Sequence, residues 1–159
     1  MVEYQLSESR EENYKLMVKT VAAFLDGESN VIANLSNTAA ILNVYLDDIN
    51  WVGFYLMEDG GLVLGPFQGK PACIRIPVGR GVCGTVAETG ETLIVEDVHE
   101  FPGHIACDAA SNSEIVLPIF KDGEVFGVLD IDSPKHGRFS ELEAVYLKEI
   151  VGLMESSLI

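Results

Sequence analysis

The feature that most constrains the fold is a pair of strand-like segments joined by a short polar turn. The segments EIVLPIF and EVFGVLDID are rich in β-branched residues, and the letters KDG between them are typical of a hairpin loop. We predict a three-residue loop that places Glu114 opposite Asp130 and Leu117 opposite Gly127. This register gives one apolar face and one face with the carboxylates of Glu114, Asp130 and Asp132, whereas a two-residue Asp-Gly loop would mix the faces.

Helical segments flank the run of strands. Residues 9–28 and 29–48 have apolar residues at helical spacing, with Ser29 as the candidate N-cap of the second helix. Ser140 followed by Glu143 predicts a capping box at the start of a closing helix. Because strands and long helices do not alternate, we predict an α+β fold. It is a single domain over residues 1–159, with a central, mainly antiparallel sheet and helices packed on one face.

The charge balance excludes several classes of partner. The chain has 25 acidic and 10 basic side chains and a formal charge of −15 at pH 7, so we expect no binding to nucleic acid or to anionic membranes. The N-terminal segment carries acids throughout, and no apolar run approaches the length of a membrane helix. We therefore predict a cytoplasmic protein, in which three cysteines do not form a permanent disulfide framework.

The segment GRGVCG, residues 79–84, matches the glycine pattern of dinucleotide-binding loops. That function needs a strand, a full crossover helix and a second parallel strand. The helix predicted here ends by Gly90, which is too short for a crossover. We therefore interpret the glycines as a tight strand-to-helix turn and predict no cofactor.

Three cysteines, Cys73, Cys83 and Cys107, are candidate reactive groups. Structural zinc sites usually contain closely spaced pairs of cysteines, which are absent here, so we predict no metal; His99, His104 and Cys107 form an alternative ligand set. Cys83 lies at the start of a short helix, where the helix dipole favours a thiolate. Inert packing and redox chemistry both remain open for these thiols.

The three carboxylates of the predicted hairpin are the second candidate group. Carboxylates gathered at one end of a sheet repel each other, so the pKa of at least one should rise unless a cation lies among them. A solvated sheet face would explain them without a function. The functional alternatives are a site for an ammonium-bearing ligand, a general acid, and a site for a hard metal ion.

Several motifs resemble a known family. The run IPVGRGVCGTVAETGETLIVEDV, followed by IVLPIFKDGEVFGVLDIDSP, resembles a GAF domain over essentially the whole chain. The segments NWVGFYL, KPACIRI, FPGHIACDAASNSEIVLPI and GVLDIDSP further resemble the free methionine-(R)-sulfoxide reductases, a GAF-fold family. This resemblance implies an oxidoreductase with a disulfide as acceptor, which reduces free L-methionine (R)-sulfoxide and serves in oxidative stress.

The resemblance also implies roles for the cysteines. Cys107 would be the nucleophile that attacks the sulfoxide and becomes a sulfenic acid. Cys73 would be the main resolving cysteine, which converts the sulfenic acid into an intramolecular disulfide, and Cys83 would have an auxiliary part. Thioredoxin or a similar dithiol reductant would then restore the thiols.

The same resemblance implies a substrate site. Glu114 would donate a proton to the sulfoxide oxygen. The residues around the substrate would be Trp51, Tyr55, Glu114, Asp130 and Asp132, with the backbone of Ile105 and Ala106 at its carboxylate. Two other functions stay open: a stand-alone GAF sensor that binds a small ligand without chemistry, and a regulatory module that acts through a partner protein. A homodimer through an exposed helical face is also compatible with the sequence.

Overall fold

The structure, a computed structural model, describes residues 4–104 and 109–158. Within these ranges the elements are α1 (Arg10–Leu25), α2 (Val31–Tyr45), β1 (Trp51–Glu58), β2 (Gly61–Gly69), β3 (Arg75–Pro77), α3 (Gly81–Thr89), β4 (Leu93–Val95), a 3₁₀ turn (Val98–Glu100), β5 (Ser113–Lys121), β6 (Glu124–Ser133) and α4 (Glu141–Ser157). The strands form one sheet in the order β3-β2-β1-β6-β5-β4, and every neighbouring pair is antiparallel. Among the helices described, none is long and apolar enough to cross a membrane.

The two faces of the sheet bury different helices. On one face α2 and α4 pack against the strands and α1 packs against both helices, around side chains such as Phe54 and Leu129. On the other face the short α3 buries Val82 and Val86 with Val116. The predicted α+β fold is confirmed. The three long helices lie on one face of the sheet, as expected, whereas the short α3 lies on the opposite face.

Side-chain caps fix where the helices begin. The capping box predicted at α4 is confirmed, because the Ser140 amide donates to Glu143 Oε1 at 2.7 Å while the Ser140 side chain accepts from the first turn. The predicted cap of α2 was wrong by one residue: Asn30, not Ser29, accepts from the amide of Ala33 at 2.9 Å. Both residue types are good caps, so the sequence alone could not separate them.

The predicted loop of the β5–β6 hairpin was wrong. The two strands are joined by a two-residue turn of Asp122 and Gly123, whose φ angles of 53° and 78° are those of a type I′ turn. As a result, Glu114 pairs with Asp132 rather than with Asp130. Likewise, Leu117 pairs with Leu129 rather than with Gly127.

A β-bulge keeps the two faces of this hairpin distinct. Phe120 pairs with Val125, but the preceding Ile119 pairs with Gly127, so β6 has one extra residue at Phe126. The extra residue changes the alternation by one position. Leu129 therefore shares the core face with Ile119 in spite of the short turn, and the three carboxylates share the α3 face as predicted.

A buried cation connects α1 with the start of α4. Arg138 is only 6% exposed; its Nη2 donates to the Tyr14 hydroxyl at 3.1 Å and its Nη1 lies 3.4 Å from Glu143 Oε2. The Tyr14 hydroxyl donates to Glu143 Oε2 at 2.8 Å, and burial raises the pKa of Tyr14 to about 12. Burial opposes ionisation of Glu143, but hydrogen bonds from Tyr14 and Ser140 outweigh it and hold the pKa of Glu143 below its usual value.

We expect Glu143→Gln to lower the free energy of unfolding by about 2–3 kcal/mol at pH 7, because it leaves the buried Arg138 with only the exposed carboxylate of Asp47. A carboxylate with a lowered pKa stabilises the fold above its unfolded pKa of about 4.3. The difference between the two proteins should therefore shrink as the pH falls below that value. Urea unfolding at several pH values measures it, with the exposed Glu141→Gln as control. An equal decrease in the free energy of unfolding in both variants would contradict the stabilising role given to the contact between Glu143 and Arg138.

Candidate active site

A cleft opens on the α3 face of the sheet. Its volume is about 550 Å³, part of which is open to solvent. Two residues that flank the segment 105–110, His104 and Ser111, also line it. Six of the predicted site residues line this cleft: Trp51, Tyr55, Cys83, Glu114, Asp130 and Asp132.

Strand pairing brings the polar residues of the cleft together. Trp51 of β1 pairs with Asp132 of β6, which in turn pairs with Glu114 of β5. Asp130 lies two residues before Asp132 and therefore on the same face, because successive side chains of a strand alternate. Three adjacent strands thus place one aromatic ring and three carboxylates at one end of the sheet.

Aromatic rings form one wall of the cleft. The Trp51 ring stacks on Tyr55 and on Phe67, with centroid distances of 5.9 and 5.3 Å. Gly53 lies between Trp51 and Tyr55 in β1 and leaves room for this stack. A Cβ atom at this position would collide with Phe67 and would lie 2.9 Å from the Trp51 ring. The wall is therefore built by the β1–β2 pair before any ligand is present.

Two hydrogen bonds connect this aromatic wall to the segment between β2 and β3. Trp51 Nε1 donates to the carbonyl oxygen of Lys70 at 3.2 Å, and the Tyr55 hydroxyl donates to that of Cys73 at 2.9 Å. Burial and the nearby Asp130 raise the pKa of Tyr55, so its hydroxyl keeps the proton that it donates. The backbone that carries Cys73 is thereby held against the cleft.

Glu114 and Asp130 form a buried carboxyl pair. They are 6% and 5% exposed, and burial followed by the charges of Asp130 and Asp132 raises the pKa of Glu114 well above its usual value. Burial also raises the pKa of Asp130, opposed by hydrogen bonds from Glu114 and Cys83. Burial thus favours the protonated form of both groups, and the neighbouring charges favour it further at Glu114. Asp130 Oδ1 is buried and has no hydrogen-bond partner among the described residues.

Cys83 is a protonated thiol rather than the thiolate expected from its place at the start of α3. It is 5% exposed, and its Sγ lies 4.0 Å from Glu114 Oε2. Burial, followed by the charges of Asp130 and Glu114, raises the pKa of Cys83 well above its usual value. Desolvation and two carboxylates therefore outweigh the dipole of a nine-residue helix.

The geometry of this corner is also compatible with a cation. Ligand atoms of Cys83, Glu114 and Asp130 lie within 4.8 Å of one another. Metal ligands have to be deprotonated, so the raised pKa values of Cys83 and Glu114 oppose the binding of a metal ion here. The alternative ligand set includes His99 and His104, whose ring centroids lie 6.3 Å apart; its third member, Cys107, lies outside the described residues.

The structure describes only part of the predicted redox machinery. Cys73 is half-buried between β2 and β3 and is disulfide-bonded, whereas Cys83 has a free thiol. Cys107, Ile105 and Ala106, which the sequence analysis placed at the nucleophile and at the substrate carboxylate, lie outside the described residues. Their assignments stay predictions.

Sequence reasoning missed two polar residues of the cleft, Arg80 and Ser111. Ser111 is 5% exposed and accepts from Asn50 Nδ2 at 3.1 Å, a contact between distant segments that no local pattern indicates. Arg80 precedes α3 inside the glycine-rich turn. The sequence held one signal for Arg80, because it stands among glycines whose spacing is typical of a tight turn. The structure has such a turn, where a Cβ atom on Gly84 would collide with the backbone of Pro77.

Comparison with known proteins identifies relatives of high similarity. The GAF domain family matches residues 23–158. The chain is 53% identical over 150 residues to a protein of Escherichia coli (strain K12) named "Free methionine-R-sulfoxide reductase", covering 94% of this chain and 91% of the relative. It is 42% identical over 164 residues to a protein of the same name from Saccharomyces cerevisiae, covering 98% and 91%.

Solved structures agree with these relatives. The free methionine-R-sulfoxide reductase of Neisseria meningitidis in complex with its substrate has a TM-score of 0.94 and 43% identity, covering 99% of this chain and 96% of that one. The fRMsr of Staphylococcus aureus in complex with substrate has a TM-score of 0.90 and 51% identity, covering 98% and 100%. The chain therefore belongs to the GAF domain family and, within it, to the free methionine-R-sulfoxide reductases.

Proposed function

We propose that this protein reduces free L-methionine (R)-sulfoxide to methionine through a cysteine nucleophile. The observation that carries the proposal is the buried pair of Glu114 and Asp130 beside the aromatic wall. This pair offers a proton donor and a negative charge within one small cleft. A relative that is 53% identical to the chain is named free methionine-R-sulfoxide reductase.

The carboxylates suit the ammonium group of a free amino acid. Asp130 Oδ1 is buried without a hydrogen-bond partner among the described residues, which is costly unless a ligand donates to it. Asp132, half-buried on the same face, adds a second negative charge beside it. A peptide-bound methionine has no free ammonium group, so this pair would select the free amino acid. The Trp51 ring would pack against the apolar end of the substrate.

The chemistry needs a thiolate and an acid. The Cys107 thiolate would attack the sulfoxide sulfur while Glu114 protonates the sulfoxide oxygen. The oxygen then passes from the methionine sulfur to the sulfur of Cys107 as its bond to the methionine sulfur breaks, so methionine leaves with the two electrons of the reduction and Cys107 becomes a sulfenic acid. The Cys73 thiol then condenses with the sulfenic acid, forming a disulfide and releasing water. The raised pKa of Glu114 supports its role, because the acid has to be protonated when the thiolate attacks.

The states of the two described cysteines support Cys73 as the resolving residue. Cys73 is disulfide-bonded, while Cys83 is free and packs against Glu114. As the family resemblance implies, we propose that the catalytic disulfide joins Cys73 to Cys107, with thioredoxin or a similar dithiol as the reductant that restores both thiols. An auxiliary part of Cys83 in recycling, the cytoplasmic location and a homodimer stay predictions.

The first test is turnover of the separate R and S epimers of free methionine sulfoxide with dithiothreitol. We expect consumption of the R epimer alone, and a decrease of at least about a thousandfold in Cys107→Ser, because an alkoxide is not formed at neutral pH as a thiolate is. Consumption of neither epimer, with all thiols unchanged, would contradict the proposal and leave a GAF module that only binds a ligand.

The second test concerns the proton donor. Glu114→Gln should lower kcat by about a hundredfold to a thousandfold, with a smaller effect on KM, because the amide cannot supply a proton. An acid with a raised pKa is active below that pKa and loses its function as the pH rises through it. The wild-type rate should therefore have an alkaline limb that Glu114→Gln lacks. The exposed Glu91→Gln is the matched control. An unchanged kcat in Glu114→Gln would rule out the assignment.

A further inference from the structure

We propose that the surface beside Cys73, formed by Lys70, Ile74 and Arg75 and here named the Cys73 surface, docks a dithiol protein reductant with an apolar centre and an acidic rim. The proposal rests on the proposed function, since it needs a disulfide at Cys73 that must be reduced between turnovers. Beyond the proposed function, it specifies where on this protein the reductant binds and which features of the reductant this surface recognises.

The local charge is opposite to that of the rest of the chain. Between Asp59 and Glu88 there is no acidic residue, but there are three basic ones, Lys70, Arg75 and Arg80, in a chain of formal charge −15. All three are exposed, and none forms an ion pair with a described residue. An acidic partner would be repelled by most of the molecule and attracted here, which favours one orientation of encounter.

An exposed aliphatic side chain lies in this basic segment, next to Arg75 in the chain. Ile74 is 68% exposed, the highest value among the large hydrophobic residues that the structure describes, whereas Ile76, two residues on, is 5% exposed. The carbonyl oxygen of Ile74 accepts a hydrogen bond from the Leu64 amide at 2.9 Å, and the next residue, Arg75, pairs with Val63. The backbone of Ile74 is therefore held at the β2–β3 edge. An exposed apolar side chain flanked by basic residues is typical of a protein interface.

The position next to Cys73 fits the exchange reaction. The carbonyl oxygen of Cys73 holds the Tyr55 hydroxyl at 2.9 Å, so the backbone beside the disulfide is fixed. A thiolate of the reductant attacks Cys73 Sγ; its bond to the Cys107 sulfur breaks, and Cys107 leaves as a thiolate. The second thiol of the reductant then attacks the reductant's sulfur atom in the mixed disulfide with Cys73. Cys73 is released as a thiol and the reductant carries the two-electron oxidation as a disulfide.

The test measures reduction of the oxidised protein directly, without sulfoxide. The disulfide form is mixed with a bacterial thioredoxin, its NADPH-dependent reductase and NADPH, and NADPH consumption gives the rate at several thioredoxin concentrations. We expect Ile74→Asp, and separately Lys70→Glu with Arg75→Glu, to raise the KM for thioredoxin about tenfold. Their rates with dithiothreitol should stay within about twofold of wild type, because a small dithiol needs no docking surface. The loss in the charge-reversed variant should fade in 0.5 M salt.

Matched controls lie on the opposite face of the sheet. Ile32→Asp replaces an isoleucine that is 59% exposed in α2, and Lys15→Glu with Lys19→Glu makes the same charge change in α1. Both should leave the KM for thioredoxin unchanged. An unchanged KM in the variants of the Cys73 surface would overturn the proposal. An equal decrease in the reduction rate with dithiothreitol and with thioredoxin would also overturn the proposal. The substitutions would then have changed the reactivity of the disulfide itself rather than the binding of a partner. A wild-type protein that is reduced normally but does not consume sulfoxide would contradict only the proposed function.

Discussion

The arrangement of the cleft depends on the burial of Glu114 against Asp130. Two neighbouring carboxyl groups in a nonpolar environment resist ionising together: burial raises the pKa of both, and the charges of Asp130 and Asp132 raise that of Glu114 further. Each unit by which a buried acid's pKa is raised costs about 1.4 kcal/mol of folding free energy at neutral pH. Such a cost indicates function, because a hydrophobic pair in the same place would be more stable.

The β-bulge in β6 and the short α3 make this burial feasible. The bulge at Phe126 lets a two-residue turn coexist with an apolar face toward the long helices and a polar face toward α3. α3 then covers the polar face with Val82 and Cys83 and excludes water from the carboxyl pair. The close approach at Gly127, where a Cβ atom would collide with the Tyr55 carbonyl, brings β1 and its aromatic wall alongside.

The sequence predicted the elements and the shared face of the carboxylates, because alternation and capping are local patterns. It did not predict the register of the hairpin. Both candidate loops contain Asp-Gly, and a bulge leaves no local pattern, so the apolar faces alone favoured the wrong loop. Nor could it predict the protonated state of Cys83, which depends on carboxylates of two other strands. Ser111 was missed for the same reason, since its partner Asn50 is distant in the chain.

Cys73 and Cys83 differ in burial and in the charges around them, which suits the different roles that we propose for them. Cys83 is buried under α3 beside Glu114, where desolvation keeps its thiol protonated and therefore slow to react. Cys73 is half-buried next to the basic residues Lys70 and Arg75, where no acidic residue adjoins it along the chain. A positive margin beside the disulfide would attract a protein reductant with an acidic rim. The charges along the chain therefore give the site an acidic part, which we propose binds the substrate, and a basic margin, which we propose binds the reductant.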